Sequence, residues 1–165
     1  MEKVCKKEGG RECRKERIEP IADERIGMLS TIGTSEKIKL MEGLLGKEGA
    51  AEVFAEGLKD KDERVREAAA ECLGKTAAKG LGIESCIGLL ADALGDKSTE
   101  VRKKAAWALS LVGEKILSSK ELEALKQAID DPEPEVRYWA AMALLKSRRA
   151  GEAIHKAKRV LEGEE

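Results

Sequence analysis

Four cysteines and one histidine are the side chains of this sequence best suited to metal binding or nucleophilic chemistry. Cys5 and Cys13 lie in a charged N-terminal segment, where the neighbouring lysines and arginines favour the reactive thiolate. Their C-x7-C spacing is not one that zinc sites use, and no second pair follows nearby. His155 has no second imidazole with which to share a metal ion. We therefore predict no metal site, and we keep a redox or metal role for Cys5 and Cys13 and a general-base role for His155 as alternatives.

The common signatures of catalytic and nucleotide-binding sites do not occur in the sequence. Neither G-x-G-x-x-G nor G-x4-G-K-[ST] is present, so no glycine-rich loop is placed to bind phosphate. No G-x-S-x-G motif marks a nucleophilic serine. Carboxylates are numerous, and their cluster at Asp130, Asp131, Glu133 and Glu135 is typical of a solvated helix start, with contact to a basic partner as the alternative. We predict a protein without catalytic residues or cofactor, and the alternative is an accessory subunit of an enzyme such as a lyase.

The composition indicates one folded domain made mainly of helices. A chain of 165 residues has about the length of one domain, and 42% hydrophobic residues exclude wholesale disorder. Aromatic residues are rare, so the apolar part is mostly Ala, Leu, Ile and Val, which suits closely packed helices. With 31 basic and 32 acidic residues, no overall charge favours nucleic acid or an anionic membrane.

Two further features of the sequence predict the cellular compartment and the source of the protein. The sequence has no apolar run of about 20 residues and no secretory signal, and cysteines in such a chain are typical of a reducing compartment. We therefore predict a cytoplasmic protein. The sequence has no asparagine and a single glutamine, whereas lysine and glutamate are abundant, which predicts a thermophilic source.

A repeated segment organises the chain. Three stretches align without gaps on the pattern [LI]-x-D-x4-V-R-x2-A-A-x-[AC]-L, and they begin 36 and 35 residues apart. They are 58–73, 94–109 and 129–144. Within the first copy, Val65, Ala69, Cys72 and Leu73 fall on one stripe of a helix. A helix with a buried stripe is therefore expected in each copy, and the paired alanines allow close approach of a neighbouring helix.

The residues around these helices predict their starts and their partners. Asp62, Ser98 and Asp131 are expected to cap the three helix starts, with Pro132 in the first helical position. A second helix with its own apolar stripe follows each copy, and Cys86 lies on one of these stripes. Because a single helix pair cannot bury both stripes, the pairs must stack. Both Cys72 and Cys86 are therefore expected in the core.

The pattern resembles HEAT repeats, specifically the short type called PBS-lyase HEAT-like repeats. The resemblance rests on Leu58, Asp60, Val65-Arg66, Ala69-Ala70 and Leu73 and on the two later copies. It implies an all-α fold, a right-handed α-solenoid of about four helix pairs, at about 35–59, 62–95, 98–130 and 133–163. Residues 18–165 would form this single domain after a charged N-terminal extension at 1–17. The resemblance also implies a ladder between repeats, formed by Asp60, Asp96, Asp131, Arg66, Arg102 and Arg137.

The most favoured function is a protein-binding scaffold without chemistry of its own. Solenoids present extended curved surfaces to partners, and aromatic and arginine side chains dominate binding energy at protein interfaces. The candidate contact residues are Arg66, Arg102, Arg137, Trp107, Tyr138 and Trp139. Packing within the solenoid is the alternative role for the tryptophans. With polar terminal repeats, the chain is expected to be a monomer or a weak homodimer.

A second function remains open at the C-terminal end. Six basic residues cluster there, namely Lys146, Arg148, Arg149, Lys156, Lys158 and Arg159. Some HEAT-like solenoids bind DNA through such basic faces, so nucleic-acid binding is the alternative to protein binding. A solvated last helix explains the same charges. Iron binding through His-Glu pairs, known in some HEAT-repeat enzymes, is not supported because the sequence has no His-Glu dipeptide.

Overall fold

Nine α-helices and one short 3-10 turn make up the described part of the chain. The computed structural model describes residues 21–112, 118–147 and 153–163, and no strand occurs among them. The helices are α1 (Ile21–Leu29), α2 (Thr34–Gly43), α3 (Ala50–Gly57), α4 (Glu63–Ala78), α5 (Ile87–Ala93), α6 (Thr99–Leu111), α7 (Ser119–Ala128), α8 (Pro134–Lys146) and α9 (Ala153–Glu162). The predicted all-α class is confirmed. The predicted extension at 1–17 lies outside the described residues.

The helices stack in two layers. In one layer α2 packs on α4, α4 on α6, and α6 on α8. In the other layer α3, α5 and α7 each pack on the helix that follows them, and α5 also contacts α7. At the ends, α1 packs on α3 and α9 on α8. Each pair thus contacts the next along the chain, which is the architecture of an α-solenoid.

The predicted apolar stripes form the core between these layers. Val65, Ala69 and Leu73 are fully buried, and so are their counterparts Val101, Ala105, Leu109, Val136, Ala140 and Leu144. Ala70, Ala106 and Ala141 are fully buried as well, so these small side chains bring neighbouring helices close together. Cys72 and Cys86 lie in the same core, which confirms their expected place. Burial raises the pKa of the Cys72 thiol to about 11, so this thiol is held in its unreactive form.

The helix starts follow the prediction at α4 but not at α8. The Asp62 carboxylate caps α4 by accepting a 3.0 Å hydrogen bond from the Arg64 N–H. The start predicted for α8 is wrong, because the helix begins at Pro134 and its N-cap residue is Glu133. Asp131 instead accepts a 2.9 Å hydrogen bond from the Glu133 N–H, which forms a turn before the helix. The fixed φ of Pro134, rather than that of Pro132, therefore fits the first helical turn.

Candidate interaction surface

A row of charged side chains joins successive helix pairs. The Arg66 guanidinium donates to both carboxylate oxygens of Asp96, with Nε at 2.7 Å and Nη2 at 2.9 Å. Its remaining terminal nitrogen donates to the backbone carbonyls of Asp60 and Lys61 at 2.9 and 3.1 Å. The planar guanidinium thus connects the turn before α4 with the turn before α6.

The same arrangement recurs one repeat later. Arg102 donates from Nε to Asp131 at 2.8 Å and from Nη2 to the same carboxylate at 3.2 Å. Its Nη1 donates to the Asp96 carbonyl at 3.0 Å. The two arginine–aspartate pairs that the resemblance implied are therefore confirmed. Arg137 repeats the backbone part of the pattern, because its Nη1 donates to the carbonyls of Asp131 and Pro132 at 3.0 and 3.1 Å.

A lysine replaces the arginine at the first position of this row. Lys37 on α2 places its ammonium 2.5 Å from the Asp60 carboxylate, and both side chains are largely buried. The sequence reasoning missed Lys37, because α2 lacks the V-R pair that the three copies share. Its distance from Asp60 along the chain is also shorter than the distance from Arg66 to Asp96. We call the row of Lys37, Asp60, Arg66, Asp96, Arg102, Asp131 and Arg137 the ladder.

Each ladder aspartate accepts hydrogen bonds from two directions. Asp96 accepts from Arg66 and also from the Ser98 N–H at 2.8 Å, and Asp60 accepts from Lys37 and from the Asp62 N–H at 2.9 Å. Burial alone would raise the pKa of Asp96, but these donors outweigh burial and hold the pKa below its usual value. The pKa of Asp60 is lowered in the same way. Both carboxylates are therefore kept ionised in the folded chain.

Within the ladder, the arginines of the repeated segment form their hydrogen bonds to other residues of the same chain. The side chains of Arg66 and Arg102 are only 10% and 14% exposed. Most of their donors bond within the chain, so they present little area to a binding partner. The ladder joins adjacent repeats, and Tyr138 is the most exposed of the six candidate contact residues.

The three aromatic candidates lie on α6 and α8. The Trp107 ring lies against α4 at Gly74, so closely that a β-carbon on Gly74 would be 2.3 Å from Trp107 Cζ3. Tyr138 and Trp139 meet edge to face, with ring centroids 4.9 Å apart and planes at 80°. Tyr138 is 44% exposed, whereas both tryptophans are partly buried. Packing therefore fixes the tryptophans in place while leaving part of each at the surface.

Two grooves flank Trp139, which lines both of them. The α6–α8 groove has a volume of about 520 Å³ and is lined by Glu71, Glu100, Lys103, Lys104, Trp107, Glu135 and Trp139. The α8–α9 groove has a volume of about 620 Å³ and is lined by Pro134, Glu135, Arg137, Tyr138, Trp139, Val160 and Gly163. We call the three aromatic side chains with these two grooves the aromatic surface.

The alternative candidates lie mainly on and around α9. Lys146 donates to the Ser110 carbonyl at 2.6 Å, and Lys156 forms an ion pair with Asp130. Lys158 and Arg159 are exposed on α9, whereas Arg148 and Arg149 lie outside the described residues, as do Cys5 and Cys13. His155 is exposed on α9. In the part of the chain that the structure describes, no three carboxylate, imidazole or thiol groups are grouped to hold a metal ion.

Two layers of stacked helix pairs joined by a ladder define an α-solenoid repeat protein. A sequence profile of HEAT repeats matches residues 51–145. This match covers more than half of the chain, which therefore belongs to the HEAT-repeat family. No curated protein sequence matches the chain. Of the helices described, none has the length and apolar character needed to span a membrane.

Solved structures share the fold at low sequence identity. A crystal structure of an engineered protein is similar with a TM-score of 0.58 and 20% identity, over 84% of this chain and 76% of that one. A designed armadillo repeat protein, solved in complex with the peptide (KR)4, also gives a TM-score of 0.58 and 20% identity. This second likeness covers 86% of this chain and 80% of the other. At such identity, the likeness is one of fold.

Proposed function

We propose that the chain is a non-catalytic scaffold that binds another protein through the aromatic surface. The observation that carries the proposal is the exposure of Tyr138 beside Trp139, between two grooves. Large aromatic side chains that are rigid and partly exposed supply much of the binding energy at protein interfaces. The designed armadillo neighbour, which has a similar helical architecture, is a protein in complex with a peptide, and this supports a peptide-like partner.

The distribution of aromatic residues further supports this assignment. The whole sequence has one Phe, one Tyr and two Trp, and Phe54 is fully buried. The other three all belong to the aromatic surface. The positions equivalent to Tyr138 in the two earlier copies are Glu67 and Lys103. Since the same helix forms with a charged residue at this position, folding does not require an aromatic side chain there.

Site-specific photocrosslinking tests the proposal. The photoreactive residue p-benzoylphenylalanine is placed at Tyr138, and a matched variant carries it at Lys126, an exposed position on α7 in the other layer. After irradiation in a nuclease-treated native lysate, we expect a discrete crosslinked protein with the probe at 138 and not with the probe at 126. Equal crosslinking at both positions, or none at 138, would count against the aromatic surface as the binding site.

Substitutions on the same surface provide the binding control. In a pull-down from the same lysate with the tagged chain, which carries no photoreactive residue, Tyr138→Ala should abolish most of the capture. It should leave the melting temperature nearly unchanged, because the Tyr138 side chain is 44% exposed. Unchanged capture by this variant would contradict the proposal. The basic C-terminal face is the competing site, and it would be favoured if capture required intact nucleic acid and fell steeply with added salt.

A further inference from the structure

Helix α9 is attached to the end of the stack mainly through one other helix. Its main packing partner is α8, whereas α6 packs on α4, α5 and α8. The apolar residues of α9 lie on one stripe that includes Ile154, Ala157 and Leu161, as expected for a helix that faces a single neighbour. The helix is therefore held from one side, unlike the helices inside the stack.

The contact between α9 and α8 buries little of α9. Within α9, all of whose residues the structure describes, Ala157 is the one buried residue, and Ile154, Val160 and Leu161 each keep part of their surface exposed. In contrast, α6 has six buried residues and α8 has five. Because burial of apolar surface is the main force that holds packed helices together, α9 is expected to separate from α8 more easily than the helices of the stack separate from one another.

The ion pair between α9 and the turn before α8 is exposed as well. The side chains of Lys156 and Asp130 are 44% and 64% exposed. In the pair that joins the two preceding repeats, Arg102 and Asp131 are only 14% and 9% exposed. Exposed ion pairs contribute little to stability, because water and salt screen the two charges. The pair of Lys156 and Asp130 therefore holds α9 less firmly than a ladder pair holds two repeats.

The length of α9 determines how it opens. The helix has ten residues, which corresponds to a length of ~15 Å. Helices shorter than about 12–15 residues are marginal in water when they are isolated. Once it is separated from α8, α9 is therefore expected to lose its helical structure too, so that separation and unfolding occur together as one step.

This opening changes the surface beside Tyr138, because α9 forms one wall of the α8–α9 groove. Val160 and Gly163 line the groove from the side of α9, and Tyr138 and Trp139 line it from the side of α8. We propose that α9 is a lid on α8, which opens as one unit while helices α2 to α8 stay folded and thereby removes one wall of the groove. The inference concerns the motion of the chain, so it holds whether or not the aromatic surface binds a partner.

Labelling of a thiol placed under α9 tests the lid. Ala157 is fully buried, so the thiol introduced by Ala157→Cys reacts with iodoacetamide only while α9 is open. Cys72, which is buried in α4, reports opening of the stack in the same sample, and peptide mapping separates the two sites. With each rate divided by its rate in the urea-unfolded chain, we expect position 157 to react at least about tenfold faster than Cys72. The matched variant Ala143→Cys places a thiol in α8, at the position that Cys72 has in the first copy, and it should react as slowly as Cys72.

Hydrogen exchange of the natural chain shows whether the substitution itself has loosened α9. The amides of α9 should exchange faster than those of α6 and α8 after correction for intrinsic rates, but more slowly than in the unfolded chain. Low concentrations of urea should accelerate exchange in α9 only weakly, because its opening exposes little surface. Equal protection of α9 and α8 would show that α9 opens only when the stack unfolds, and an α9 without protection would show that it does not pack on α8. Either result would overturn the proposal.

Discussion

Gly74 is expected to be unfavourable for its helix yet required by its neighbour. It lies inside α4, where glycine destabilises a helix by about 1 kcal/mol relative to alanine. A methyl group on Gly74 would lie 2.3 Å from Trp107 Cζ3 and 2.5 Å from Cε3. Both distances are far shorter than the ~3.5–4.0 Å of a good carbon–carbon contact. Replacement of Gly74 by alanine must therefore displace the indole.

The sign of the effect should depend on Trp107. Overpacking lowers the free energy of unfolding by ~1–3 kcal/mol, whereas the better helix propensity of alanine raises it by about 1 kcal/mol. We expect Gly74→Ala to lower the free energy of unfolding by about 1 kcal/mol in the natural chain. On a Trp107→Ala background the clash is removed, so the same change should raise it by ~0.5–1 kcal/mol. The coupling between the two positions is then about 2 kcal/mol, which is large for a pair of residues.

Urea denaturation of the natural chain, the two single variants and the double variant measures this coupling. Far-ultraviolet circular dichroism follows unfolding without depending on tryptophan emission. Gly27→Ala provides the control, because Gly27 lies inside α1 and a β-carbon there has no neighbour within 4 Å. It should stabilise the chain equally in both backgrounds. If Gly74→Ala stabilises the natural chain as much as the Trp107→Ala chain, the indole does not pack on Gly74 and the reasoning is refuted.

Three further outcomes follow from the ladder and the core. Arg102→Ala should lower the free energy of unfolding by about 3 kcal/mol, because it leaves the Asp131 carboxylate buried without its main partner. Lys126→Ala, which removes an exposed ion pair, should cost less than about 0.5 kcal/mol, and equal effects in denaturation would contradict this. The pKa of Asp96 is lowered in the folded state, so its ionised form stabilises the chain above its unfolded pKa of about 4 and loses this effect as the pH falls. Asp96→Asn should therefore be less stable near neutrality and lose less stability between about pH 5 and pH 2, and a parallel pH profile would argue against the ladder. Cys72, with a pKa of about 11, should react with iodoacetamide only as the chain unfolds, and peptide mapping that finds fast labelling in the native protein would contradict its burial.

The stack of helices could be predicted because its determinants recur in the sequence. The same stripe of Val, Ala and Leu appears three times at nearly constant spacing, and a stripe of this kind has one physical use, which is burial against another helix. The match of this pattern to α4, α6 and α8 follows directly. The ladder, by contrast, was expected only from the resemblance to HEAT-like repeats, and the structure shows its pairs at Arg66 and Arg102.

The features that sequence reasoning missed depend on contacts rather than on local pattern. Lys37 joins the ladder because α2 places it beside Asp60, and nothing in its own segment marks it as an equivalent of Arg66. The start of α8 was misplaced because Asp131 bonds to the next turn instead of capping the helix. The exposure of Tyr138 and the contact of Trp107 with Gly74 depend on how closely adjacent helices approach, which no single helix pattern gives.

The arrangement of fixed and variable positions explains how a repeat stack can acquire a binding specificity. Positions that hold the same residue in all three copies, such as Val65, Arg66 and Ala69, are buried or bound in the ladder. The positions of Tyr138 and Trp139 differ between copies and face outward or line a groove, whereas the variable position of Cys72 is buried. Because the same helix forms with Glu67 or Lys103 at the position of Tyr138, a change at this position is expected to leave the fold unaltered. The proposed recognition therefore depends chiefly on the exposed Tyr138, whereas Trp107 also serves the packing of α6 on α4.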